Sequence, residues 1–175
     1  MSEFVAIENA YWVLRGKLLA GEYPGSEDFG ASRARIRWLL QQGITLCFDL
    51  TEDAETETIP YAPFLLEEAR QMGKPAAHLR IAVADYAVPT REEMKRILDT
   101  LDLALRAGQA VYVHCHGGIG RTGTVVGCYL ARHGIAGAEA LEGIAHLRVG
   151  IPAGHLQSPE TPEQVEMIMS WKPGT

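Results

Sequence analysis

Two hydrophobic rhythms alternate along the chain: short unbroken apolar runs, and stretches in which apolar residues recur every three or four positions. YWVLRGKLLA (11–20) reads as two short strands hinged at Gly16, and GEYPGSEDFGA (21–31) as a loop. Ser32 is placed to cap a helix through Gln42, with Ile36, Leu39 and Leu40 on one face and Gly43 closing it. ITLCFDL (44–50) has the composition of a buried strand, TEDAETETIP (51–60) that of a solvated acidic loop. Pro63 to Met72 follows a helical rhythm, and HLRIAV (78–83) a strand. After the loop ADYAVPT, Thr90 and Glu93 form a capping box for a helix to about Ala107, buried along Ile97, Leu98, Leu101 and Leu105. Gly108 ends it, AVYVH (110–114) is the next strand, and a glycine-rich loop follows. Helices are predicted over 122–133 and 137–147, and a last one from Thr161, with Pro162 at its first position and Gln164 completing a capping box.

Strands alternating with helices predict an α/β fold: a central, mainly parallel sheet of 4–5 strands with helices on both faces. No repeat, low-complexity tract or long linker divides residues 1–175, which read as a single domain. Ligands in such folds bind beyond the carboxyl ends of the strands, where the segment after AVYVH lies.

Composition narrows the function classes. The 175 residues carry 16 Lys and Arg against 22 Asp and Glu, a formal net charge of −6. A positive surface for nucleic acid or anionic membrane is not expected, so neither is a predicted partner. The three cysteines, Cys47, Cys115 and Cys128, are too few and odd in number for a disulfide framework and fit a reducing compartment. The start, MSEFVAIENAYWVLRG, lacks a basic n-region followed by an apolar run, and no transmembrane-length apolar stretch occurs; a cytoplasmic protein is expected. His78, His133, His146 and His155 show no metal-ligand spacing with cysteine, and no metal or cofactor is predicted. Cys128, like Trp12, Trp38 and Trp171, reads as core or rim.

The chemistry concentrates in His114, Cys115, His116, Gly117, Gly118, Ile119, Gly120, Arg121 and Thr122. A cysteine leaves a strand and an arginine opens a helix; three of the residues between them are glycine. Glycines let successive N–H groups converge without a Cβ clash, and such a nest at a helix N-terminus binds a tetrahedral oxyanion. The Arg121 guanidinium adds a planar fork for two phosphate oxygens. Helix N-termini and cations lower thiol pKa values, so the Cys115 sulfur is expected as a thiolate beneath bound phosphorus, an activated nucleophile for phosphoryl transfer.

The string H-C-x-x-G-x-x-R-T-G, filled by His114, Cys115, Gly118, Arg121, Thr122 and Gly123, resembles the signature of cysteine-based protein tyrosine phosphatases, and the short chain resembles their dual-specificity branch of small bacterial and kinase-associated type. The resemblance implies a tyrosine-phosphatase-like fold and residue roles. Cys115 would carry a phosphocysteine intermediate; Arg121 would hold the phosphate with the loop residues His116, Gly117, Gly118, Ile119 and Gly120. Thr122 would hydrogen-bond the sulfur as a leaving group, and His114 would orient the loop. The family places an Asp on a separate upstream loop as proton donor; Asp85, shortly before Pro89, matches it. Arg148 and the segment after it resemble the part of the family that positions the hydrolytic water, with Gln164 as the best match, Gln157 as an alternative, and Glu160 where the tyrosine-specific pattern has Gln. Some relatives protect the nucleophile with a disulfide to a neighbouring strand cysteine, for which Cys47 is the candidate. The implied substrate is a phosphorylated protein or peptide. Inositol phosphates or phosphoinositides, served by Arg80, Arg91 and Arg148, are the alternative, as is a phosphoprotein-binding adaptor with little turnover.

Overall fold

The computed structural model describes residues 6–135 and 137–175. Five strands, β1 (Tyr11–Leu14), β2 (Leu18–Gly21), β3 (Leu46–Asp49), β4 (Ala77–Arg80) and β5 (Val111–His114), form one sheet in the order β1-β2-β5-β3-β4. Only β1 runs antiparallel, joined to β2 by the predicted hinge, where Gly16 takes φ 73°. The others pair in parallel, with β5 hydrogen-bonded on both sides. Helices α1 (Phe29–Gln41) and α3 (Ala62–Gln71) pack on one face; α4 (Arg91–Arg106), α5 (Gly120–Arg132), α6 (Ala138–Leu147) and α7 (Pro162–Ser170) lie on the other. This is the mainly parallel, doubly covered sheet predicted.

Side-chain alternation along the strands sorts the core into two layers. Leu46, Phe48, Val111 and Val113 face the α4–α7 layer. Cys47 and Tyr112, directly opposite each other in register, face α1 and α3. α4 buries Met94, Ile97, Leu98, Leu101 and Ala104, at roughly 1.5–3 kcal/mol for each large side chain. α5 is buried from Gly120 to Ala131, walled by α4, α6 and α7, so its position is fixed along its length.

Several boundaries differ from expectation. α1 begins at Phe29, capped by Asp28, whose carboxylate accepts from Gly30 N–H (2.8 Å) and Ala31 N–H (3.3 Å). The expected cap, Ser32, is instead buried inside the first turn, where its hydroxyl meets the backbone of Ser26. The acidic segment 51–60 is not wholly a loop: Asp53–Thr56 forms a helical turn, α2, opened by a Glu52–Glu55 capping box. β4 stops at Arg80, and α5 starts at Gly120, two residues before the predicted 122. The capping boxes at Thr90 and Thr161 are both formed.

Candidate active site

Cys115 follows the last residue of β5 and is buried. The loop after it folds back so that Gly118 N–H donates to the Cys115 sulfur at 3.3 Å. Gly118 requires glycine for two reasons: its φ is +71°, and a Cβ would overlap the backbone of Gly21 and Glu22. Tyr23 N–H donates to the His116 carbonyl at 2.9 Å, fastening the loop to the segment after β2. His116 and Gly117 are exposed at the rim, where the His116 ring stacks on Tyr23 with centroids 6.1 Å apart.

His114 is fully buried, and its partners define its state. Its Nδ1 lies 3.2 Å from the Cys115 carbonyl, which can only accept, so Nδ1 carries the proton. Nε2 then accepts from the Tyr61 hydroxyl at 2.7 Å. Burial lowers the His114 pKa to about 4 against the opposing charge of Asp49, leaving the imidazole neutral near pH 7. It orients the loop through the carbonyl of Cys115.

A neutral buried imidazole has a consequence for stability. Unfolded, His114 titrates near 6.5; folded, near 4. Between these values the unfolded chain binds more protons, so stability is complete above about pH 6.5 and falls as the pH drops toward 4, by on the order of 3 kcal/mol at most. Denaturant unfolding from pH 7 to 4.5 is expected to reveal this decline, and His114→Gln to flatten it. A wild-type profile that is already flat over this window would contradict the buried neutral ring.

Beneath the loop, Asp49 is fully buried on β3. Burial is the largest influence on its carboxyl, but the His78 hydrogen bond, the neighbourhood of His114 and Thr51 outweigh it and hold the pKa below the usual carboxylate range. Arg80 completes the surroundings, with its Nη2 at 2.8 Å and Nε at 3.1 Å from Oδ2.

Arg121, in the first turn of α5, is buried and faces the loop. Its Nη1 donates to Glu55 Oε1 (2.6 Å) and the Val83 carbonyl (2.9 Å); its Nη2 donates to Glu55 Oε2 (2.8 Å) and lies 2.9 Å from Asp85 Oδ1. Burial disfavours the charged guanidinium, yet Glu55, Cys115 and Asp85 together raise its pKa. Glu55 is lowered in turn, chiefly by its Arg121 hydrogen bonds. Glu55 belongs to the run read as solvated loop, and no sequence signal marks it apart from the Glu52–Glu55 spacing of a capping box.

Asp85 sits on the loop between β4 and α4, its side chain 53% exposed, followed by Tyr86 at φ +56°. The structure thus sets Asp85 against Arg121, whose guanidinium also feels Cys115.

The remaining candidates are distributed differently. Thr122 Oγ1 is buried without a hydrogen-bond partner among the described residues, so the expected bond to the sulfur is not formed. Gln164 is buried; its Oε1 accepts from Glu160 and Thr161 N–H and its Nε2 donates to the Ala87 carbonyl, tying α7 to the Asp85 loop. Gln157 is exposed and lines a cavity with Arg148 and Leu156 that includes none of the residues 114–122. Glu160 lies closer: a Cβ on Gly120 would meet its carboxylate. Cys47 sits across from Tyr112 and belongs to the core layer opposite to that of Cys115; both thiols are free and buried. Burial pushes the Cys47 thiol pKa up to about 12.

Three arginines considered for polyanion binding are engaged elsewhere. Arg80 holds Asp49 and Asp53; Arg91 stacks over Trp171 at 4.8 Å; Arg148 donates to the Leu156 and Ala153 carbonyls.

A cysteine at the end of β5, an arginine opening α5 and an aspartate on the β4–α4 loop thus stand at one end of a doubly covered, mainly parallel sheet. A family model described as "PTP-SAK: Swiss Army Knife protein, DSP-PTPase phosphatase domain" matches residues 8–166, and the chain belongs to this family. Dual specificity protein phosphatase CDC14C of Homo sapiens is 36% identical over 81 residues, 46% of this chain and 17% of that protein. Uncharacterized protein MJECL20 of Methanocaldococcus jannaschii is 30% identical over 93 residues, 53% of this chain and 58% of that protein. The chain therefore spans less than two thirds of the length of these relatives. Among solved structures, Tk-PTP in its active form aligns with TM-score 0.63 at 26% identity, covering 95% of each chain. PTPMT1 in complex with PI(5)P aligns at TM-score 0.69 and 22% identity, covering 92% of this chain and 93% of that one, a likeness of fold. No described helix is long and apolar enough to cross a membrane.

Proposed function

We propose that this protein hydrolyses phosphotyrosine, and phosphoserine or phosphothreonine, in protein or peptide substrates through a phosphocysteine intermediate. The observation that carries the reading is the loop itself: the Cys115 sulfur takes an N–H from Gly118, and the Arg121 guanidinium is held rigid beside it. In the first step the sulfur attacks phosphorus, the P–O bond to the substrate breaks, and the Asp85 carboxyl gives its proton to the leaving oxygen. In the second, water attacks phosphorus, its proton passes to Asp85, and the P–S bond breaks to restore the thiolate. The loop amides and Arg121 hold the equatorial oxygens in both steps.

Arg121 supports a specific role for Asp85. A phosphate needs two donors of the guanidinium fork, and the Asp85 carboxylate lies against Nη2. An incoming phosphate displaces Asp85 from that nitrogen and leaves it free beside the leaving group. Asp85→Ala is therefore expected to lower turnover of an alkyl phosphoester about 10²–10⁴-fold while binding tungstate at least as tightly as the wild type. Steady-state rates and calorimetric titration check this; wild-type turnover in the variant would remove Asp85 from the mechanism.

The substrate class is tested by measuring kcat/KM in EDTA for phosphotyrosine and phosphoserine peptides beside phosphoinositides and inositol phosphates. Occupied Arg80, Arg91 and Arg148 side chains and the net charge of −6 support preference for singly phosphorylated peptides. A higher kcat/KM on the polyphosphorylated set would transfer the reading to that class. Binding of phosphopeptides without turnover would make the protein an adaptor.

A further inference from the structure

Glu55, which holds the Arg121 fork, stands on a helical turn of only four residues. Such a turn cannot fix its own position, and α2 buries only Thr56. Its far side borders a cavity of about 480 Å3 lined by Asp53, Thr56, Pro60, Ala62, His78 and Arg80. Polar contacts to Arg80 hold the turn there: Nη2 donates to Thr56 Oγ1 at 3.2 Å, and Nη1 pairs with Asp53. Arg80 is itself anchored by the buried carboxylate of Asp49 through Nε and Nη2. Asp49 Oδ1 in turn lies 3.9 Å from Nδ1 of His114, the ring that holds the Cys115 carbonyl. One buried carboxylate thus lies near His114, which holds the Cys115 carbonyl, and is tied to Arg121 through Arg80, α2 and Glu55.

We propose that Arg80 is a positioning residue for the phosphate-binding arginine: anchored on Asp49, it sets the α2 turn so that Glu55 presents both oxygens to Arg121. The proposal rests on the phosphatase reading for its kinetic consequences, but not for its binding consequences. The Arg80 fork spans Asp49, Asp53 and Thr56 simultaneously; a lysine ammonium keeps a cation on Asp49 and cannot reach all three. Arg80→Lys leaves the buried charge paired while freeing α2.

The test is a double-mutant cycle in the full chain with Arg80→Lys and Glu55→Gln, read by tungstate affinity and by kcat/KM on an aryl phosphate. Arg80→Lys is expected to weaken tungstate binding and kcat/KM about tenfold, and Glu55→Gln by ten- to a hundredfold, with unchanged far-UV spectra. The double variant is expected to resemble Glu55→Gln alone, because Arg80 acts through Glu55. Effects that multiply independently, or an Arg80→Lys protein with wild-type tungstate affinity, would overturn the proposal. Should Arg80→Lys fail to fold, Thr56→Val removes one tether without changing any charge, and the same cycle with Glu55→Gln applies at smaller amplitude. Wild-type protein that binds tungstate yet hydrolyses no phosphoester would sink the enzymatic reading while leaving the cycle interpretable through binding alone.

Discussion

Cys115→Ser is expected to reduce turnover by roughly four orders of magnitude or more, toward the background rate. In the proposed route sulfur is needed twice: as the nucleophile, and as a leaving group when water attacks the phosphoenzyme. The Gly118 N–H meets the sulfur in the loop, and a serine oxygen in its place is a far poorer nucleophile and leaving group. The loop amides and the Arg121 fork are untouched by this substitution, so tungstate and phosphopeptide binding are expected to persist near wild-type strength. Rapid quench with a phosphopeptide followed by intact mass is the decisive measurement: wild-type protein should show a transient phosphate adduct on Cys115, and Cys115→Ser none. A Ser variant retaining a tenth of wild-type turnover would remove the covalent route.

The second large effect is at Arg121. Arg121→Lys is expected to lower kcat/KM about 10³-fold, equivalent to about 4 kcal/mol of transition-state stabilisation. An ammonium supplies charge but not the two parallel donors that match two phosphate oxygens. It also strands Glu55, whose oxygens accept from Nη1 and Nη2, and the Val83 carbonyl, which accepts from Nη1. Both kcat and tungstate affinity should fall, since the fork serves ground state and transition state alike. A loss below tenfold would mean that the phosphate is held by the loop amides alone.

The loop 114–122 could be singled out in the sequence because its signal is local: a nest of amides needs glycines, and Cys115 and Arg121 lie within one short segment of chain. The strand and helix order was legible for a similar reason, since each long helix carries its own periodicity and the capping boxes at Thr90 and Thr161 their own spacing. Glu55 was not legible. It is 66 residues from Arg121, and a four-residue helix offers no periodic signal, so charge alone made it resemble solvated loop. The expected cap, Ser32, gave way to Asp28 four residues earlier: both types cap well, and Ser32 packs inside the first turn. Gln164 illustrates the reverse difficulty: one residue matched a capping position and a water-positioning motif, and its amide both bonds backbone partners and lies against Gly120 of the loop.

The order of the sheet has a dynamic consequence. Cys115 leaves β5, a strand bonded to neighbours along both edges, whereas Asp85 follows β4, the outermost strand on its side. Amide protons of Val111 to His114 should exchange with solvent only when the whole domain opens, while those around Asp85 should exchange through small excursions of the rim. In the proposed reaction the sulfur thus belongs to the part of the fold that opens last, and the proton donor to a part that opens early.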